Sequence, residues 1–181
     1  MIASPTFRVA VTLSLSLTAC KPPPTDADLE RAVPEAEPTF ASAALPSPDT
    51  EGAVWVQTDD PFRIVYGIPG EPALVALQCV RTGAGTDLMQ ITRISPADEG
   101  ASALLAVIGN GAIGRIKVDS TQRGNGFVWK GSLPATDPKW EPFSASRQAT
   151  LTVPGAGMVK LNASPLPSGL LRACRNPPLP E

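Results

Sequence analysis

The 181-residue chain contains no histidine. That removes the side chain most often used as a general base near neutral pH, and the commonest metal ligand. A serine nucleophile would then need a lysine base, and Ser95, Ser120 and Ser146 stand in no sequence setting that supplies one. Aromatic residues are scarce, at 5%, and there is no run of Lys and Arg in a chain of formal net charge -2. Nucleic-acid binding needs a basic surface and has no footprint here. Long apolar runs are also missing from the body. The longest, Ala101 to Ile108, is strand-sized, whereas a membrane-spanning helix needs about 20 residues. The adjacent acids Asp59-Asp60 and Asp98-Glu99 sit in turn-like sequence. Glycosidase chemistry needs two carboxylates across a cleft, and a calcium loop needs acids at alternate positions. No catalytic set emerges and no cofactor is implied, so the expectation is a protein that is not an enzyme.

What the chain does have begins at its N-terminus. Met1 to Arg8 carries one basic side chain, and Val9 to Leu17 is a short apolar and hydroxyl run. That run is too short to span a bilayer and has the build of a signal-peptide core. Leu17-Thr18-Ala19-Cys20 follows. It resembles the lipobox of bacterial lipoproteins, a branched apolar residue and two small residues before cysteine. The resemblance covers the first twenty residues only. It implies cleavage before Cys20, a diacylglycerol on its thiol, and an acyl chain such as palmitate on the new amino group. Two or more acyl chains give stable anchoring, at about 0.8 kcal/mol per buried CH₂. Lys21 stands where an Asp often marks inner-membrane retention in that family, so the outer membrane facing the periplasm is the favoured location. Once Cys20 carries lipid, two of the three cysteines remain, Cys79 and Cys174. In an exported protein an even pair is expected to form a disulfide.

Four segments follow: a signal peptide over 1–19, the lipidated cysteine and a Pro/Ala-rich tether over 20–52, a β-domain over 53–175, and a tail over 176–181. The tether opens Lys21-Pro22-Pro23-Pro24 and carries Pro34, Pro38, Pro46 and Pro48. It has too little apolar matter to offset the entropy of ordering.

The body reads as many short strands punctuated by Gly and Pro. Ala53–Gln57, Phe62–Tyr66, Ala73–Val80, Asp87–Ile94 and Leu104–Ile108 are expected strands. Arg115-Ile116-Lys117-Val118-Asp119 alternates charged and apolar residues, as a half-exposed strand does. Thr121–Gly126 is expected to turn. Gly126–Leu133 is a strand, and Ala149–Val153 with Met158–Asn162 forms a hairpin. Ser168–Arg175 is expected to make one or two helical turns. Ser95-Pro96 has the look of a helix start, but Gly100 follows at once and a turn is preferred. The fold expected is all-β, a small antiparallel sandwich or partly open barrel with a short C-terminal helix.

Two features invite sharper readings. Gly109-Asn110-Gly111-Ala112-Ile113-Gly114 has the spacing of a dinucleotide-binding loop. An alternating run follows it instead of a helix, so a type I′ hairpin at Asn110-Gly111 is expected. Trp140 lies between Pro138 and Pro142, with Phe143 close by. Either the loop folds back to plug the barrel, or Trp140 and Phe143 contact a partner. Trp55, Tyr66 and Trp129 are expected in the core. The functional expectation is a membrane-anchored cell-envelope lipoprotein whose domain is a non-enzymatic binding or structural module. Its expected partners are the membrane, through Cys20, and an envelope protein. The alternative is a periplasmic ligand carrier or a carboxylate-dependent hydrolase.

Overall fold

The computed structural model describes residues 43–83 and 86–176. Cys20, most of the tether and the tail after Asn176 lie outside the described residues. Nine antiparallel strands form one sheet: β1 (Val54–Gln57), β2 (Arg63–Gly67), β3 (Val75–Val80), β4 (Leu88–Arg93), β5 (Ser102–Gly109), β6 (Ala112–Arg123), β7 (Gly126–Pro134), β8 (Ala149–Thr152) and β9 (Met158–Leu161). Their spatial order is β1-β2-β3-β4-β7-β6-β5-β8-β9. The meander β5-β6-β7 is inserted beside β4 in Greek-key fashion. The sheet curls into a nearly closed barrel, and one helix, α1 (Pro165–Arg175), follows it. No helix among the described residues is long and apolar enough to cross a membrane.

Side-chain parity builds the core. On β4 Met89, Ile91 and Arg93 are buried while Leu88, Gln90 and Thr92 are half-exposed. On β6 Ile116 and Val118 are fully buried, and Arg115, Lys117 and Asp119 face water. Trp55, Tyr66 and Trp129 join the core, as expected. The ends of the sheet are bridged by side chains. The Tyr66 hydroxyl donates to the Lys160 carbonyl at 2.9 Å and accepts the Asn162 N–H at 3.1 Å. The Asn162 amide donates to the Ala53 carbonyl at 2.7 Å.

β6 is longer than its alternation suggests. Ala112 to Asp119 pairs with β5, and Asp119 to Arg123 pairs with β7. Thr121–Arg123, expected in a turn, is therefore strand, and the reversal falls after Arg123. The partner change folds one sheet into two facing halves. Gly131 sits where these halves meet, and a Cβ there would come within 2.3 Å of the Lys117 carbonyl oxygen.

Asn110 and Gly111 both have positive φ, 49° and 72°, as a type I′ turn requires. The neighbouring glycines have a different role. Pro138–Phe143 forms a 3₁₀ turn packed on β5 and β6. A Cβ on Gly114 would lie 2.1 Å from the Lys139 carbonyl oxygen, and one on Gly109 would lie 3.2 Å from that of Pro142. The glycine pattern is thus a hairpin with a flat seat for the 3₁₀ turn. The loop folds inward: Trp140 is fully buried and Phe143 nearly so. The Trp140 indole N–H donates to the Pro134 carbonyl at 3.1 Å. Phe143 meets Trp55 edge-on at 6.5 Å, and Trp55 in turn lies 5.1 Å from Tyr66. The partner-contact reading of Trp140 and Phe143 is corrected: they plug the barrel and leave no surface for a partner.

α1 starts three residues before the expected Ser168. The Ser164 hydroxyl accepts the Leu166 N–H, and Pro165 stands at the first helical position, where no N–H is needed. Leu170, Leu171 and Cys174 face inward. Cys174 is bonded to Cys79 of β3, with Cα atoms 5.6 Å apart. The ordered body also begins before Ala53. The Leu45 N–H donates to the Gly155 carbonyl at 2.8 Å, and the Met158 N–H donates to the Ser47 hydroxyl at 3.0 Å.

Two expectations follow. Reducing the disulfide, which closes a separation of 95 residues, lowers stability by about 2–5 kcal/mol. Urea unfolding with and without reductant reads this, and coincident midpoints would contradict it. Gly114→Ala forces the 3₁₀ turn off β6, costing about 1–3 kcal/mol and exposing Trp140. Tryptophan emission then shifts to the red, and an unchanged spectrum and midpoint would refute the seat.

Candidate functional site

The outer face of β2, β3, β4, β7 and β6 is concave. Its groove, of about 220 Å³, is lined by Arg63, Ala76, Gln78, Gln90, Thr92, Thr121, Gln122, Arg123, Val128 and Lys130. Strand pairing assembles it. Arg63 is in register with Gln78, Gln78 with Gln90, and Thr92 with Lys130. Ala76 and Val128 form a buried floor, while the Gln and Thr side chains stand half-buried around it, except Gln122 at the exposed rim.

The charges here are one-sided. Among the described residues three cations line the groove and no carboxylate does. None of Arg63, Arg123 and Lys130 has a side-chain hydrogen bond or ion pair among the described residues. Two acids that adjoin the groove residues are engaged. Asp119 is in register with Lys130 but accepts from the Ser102 hydroxyl and pairs with Lys117 at 3.4 Å. The Ser102 hydrogen bond, with help from Lys117, holds its carboxyl below the usual range. Asp60 accepts the Phe62 N–H at 2.8 Å and the Gln78 amide at 3.3 Å.

A second, more open surface adjoins the groove. Ile94, Ser95, Pro96, Ala97, Gly124, Gly126 and Phe127 line it, together with Arg123 and Val128, which it shares with the groove. This shelf encloses about 740 Å³ and is predominantly apolar. The Ser95-Pro96-Ala97 turn is laid against β7 by the Ala97 N–H, which donates to the Phe127 carbonyl at 3.1 Å. Ser95 is 7% exposed, and its hydroxyl has no partner among the described residues.

Arg93 supports the shelf from inside. It is 3% exposed and pairs with no carboxylate among the described residues. One guanidinium nitrogen donates to the carbonyls of Leu74 and Ile94 at 3.0 and 3.1 Å. A second reaches the Ala156 carbonyl at 3.1 Å, and the Nε has no partner among the described residues. Burial pushes its pKa down to about 10, so it remains a cation at neutral pH. The fork ties β4 to the β8–β9 hairpin and fixes Ile94 beneath the shelf.

The acids singled out in the sequence do not converge. Asp60 is occupied as described, and Asp98 and Glu99 are exposed in a turn. The sulfurs of Cys79 and Cys174 lie within 4.8 Å of each other and of an Asp87 oxygen. They are joined to each other, and Asp87 is paired with Arg81 at 2.9 Å. Ser120 is half-buried, its hydroxyl has no hydrogen-bond partner among the described residues, and Ser146 is exposed. The exposed large apolar residues Leu104, Ile108 and Ile113 sit on β5 and β6, with Ile108 in register with Ile113. The groove residues were not singled out in the sequence. Gln78 in an otherwise apolar strand, and the alternating Gln90 and Thr92, were the available signal.

No protein family, curated protein or solved structure matches the chain.

The Arg93 fork generates a prediction. Lysine carries the charge but cannot span three carbonyls. Arg93→Lys is expected to cost about 2–3 kcal/mol, the scale of a charge-assisted hydrogen bond. Denaturant unfolding measures it, and a loss below 0.5 kcal/mol would contradict the role.

Proposed function

We propose that this protein is a membrane-anchored cell-envelope lipoprotein whose β-domain binds an anionic ligand and performs no chemistry on it. One observation carries the reading. A built, concave face presents three cations without counter-charges among the described residues, with amides and hydroxyls between them. Such a face attracts anions and supplies hydrogen-bond donors at short range. Charge of one sign in a groove also favours capture. Among the described residues the groove holds no nucleophile paired with a base and no pair of carboxylates, so the support is for binding rather than for hydrolysis. In this reading lipid on Cys20 holds the domain at the outer membrane, facing the periplasm, and the Pro-rich segment sets its reach.

The test has two readouts. In the intact chain, expressed in a bacterium with labelled palmitate, label and membrane fractionation are expected, and Cys20→Ser abolishes both. The soluble full chain carrying Cys20→Ser is expected to bind pyrophosphate, and Arg63→Ala with Lys130→Ala weakens that binding at least tenfold. Membrane attachment unaffected by Cys20→Ser would reject the anchor. Pyrophosphate binding that is absent, or indifferent to the double substitution, would reject the groove.

A further inference from the structure

The groove and the shelf share Arg123 and Val128, so they form one continuous surface with a cationic half and an apolar half. We infer that this surface takes an anionic amphiphile as a single molecule, its phosphate-class head in the groove and its hydrocarbon tail along the shelf. The inference rests on the anion-binding reading and specifies the ligand.

Three observations meet on it. The charge complementarity is local: Arg63, Arg123 and Lys130 are unpaired among the described residues, and Arg123 stands at the junction. The shelf beyond it changes character within one strand. Lys130 lies in the groove, Val128 in both surfaces, and Phe127 on the shelf with Ile94, Pro96 and Ala97. A purely anionic ligand would leave that apolar half unused, and a purely apolar one would leave three cations unmatched. The third observation is Ser95. Its hydroxyl is enclosed behind the shelf wall and has no partner among the described residues, and such a group is costly unless a small shift of the Ser95-Pro96 turn lets an acceptor meet it. An amphiphile with a polar linkage between head and tail offers one.

The shelf is also built to stay open. Arg93 grips the Ile94 carbonyl from the interior, and the Ala97 N–H is pinned to Phe127. These contacts hold the apolar side chains in place without using the shelf surface itself, which suits a largely preformed site.

The experiment uses the full chain with Cys20→Ser and three probes by calorimetry: monomeric dodecyl phosphate below its micelle concentration, inorganic phosphate, and monomeric dodecyl maltoside. Phosphatidylglycerol vesicles form a separate arm. Dodecyl phosphate is expected to bind at least tenfold more tightly than either other small probe. Arg123→Glu weakens it at least tenfold. Phe127→Ser weakens it at least fivefold while leaving phosphate and pyrophosphate binding within twofold. Pro96→Ser, which alters the shelf without touching the hydrogen-bonded strands, weakens it in the same direction and guards against misfolding of the Phe127 variant. Equal affinity for phosphate and dodecyl phosphate would overturn the tail site while leaving the anion-binding reading intact. Equal affinity for dodecyl maltoside would overturn the head site. Binding to vesicles without binding to monomers would replace a single-molecule site by contact with a bilayer surface. Loss of pyrophosphate binding as well would remove the underlying reading.

Discussion

The whole arrangement depends on the closure of the sheet at Tyr66. An open nine-stranded sheet would leave β1 and β9 as bare edges, with unpaired backbone groups available for unwanted pairing. Here a phenol and an amide bridge the gap. Tyr66 on β2 bonds the backbone at Lys160 and Asn162, and Asn162 reaches Ala53 ahead of β1. Burial raises the Tyr66 pKa, with the Asn162 N–H opposing, so the hydroxyl remains protonated and able to donate. The same ring leads inward to Trp55, Phe143 and Trp140. Closure and plug are therefore one connected aromatic core.

Four arginines and lysines show how context decides the role of a cation. Arg93 lies inside, where its two terminal nitrogens donate to three carbonyls and its Nε has no partner among the described residues. Its position is set by parity, since it follows Met89 and Ile91 on the inward side of β4. Arg63, Arg123 and Lys130 lie outside, in a concave face, and have no such partners among the described residues. A buried cation tied to carbonyls fixes structure, whereas half-buried or rim cations without partners are available for a ligand. The glycines divide in the same way. Gly111 is needed for its positive φ, and Gly114 because another backbone comes too close for a Cβ.

Much of the fold was legible because local patterns matched the final environment. Arg115 to Asp119 alternates in the sequence and in the barrel alike. Asn110-Gly111 carries its own turn geometry. Cys79 and Cys174 could be paired by count, and they are bonded. The elements that escaped were decided by tertiary partners. Thr121-Gln122-Arg123 looks like a turn until β7 pairs with it. Pro165 looks like a helix breaker until Ser164 caps the segment before it. Trp140 could have faced either way, and the glycine seat on β5 and β6 turns it inward. Asn162 bridges the ends of the sheet and Ser164, two residues on, caps α1. The groove was the least legible feature. Gln90, Thr92 and Lys130 are brought together only by the β4–β7 pairing, which skips two intervening strands.

The central claim is that anions are held on the outer face of β2, β3, β4, β7 and β6. Amide chemical-shift mapping of the soluble full chain during a pyrophosphate titration tests it most directly. The account predicts shifts concentrated at Gln78, Gln90, Thr92, Lys130 and Arg123, with Leu104, Ile108 and Ile113 silent. Shifts scattered over exposed lysines, or centred on Ile108 and Ile113, would contradict it.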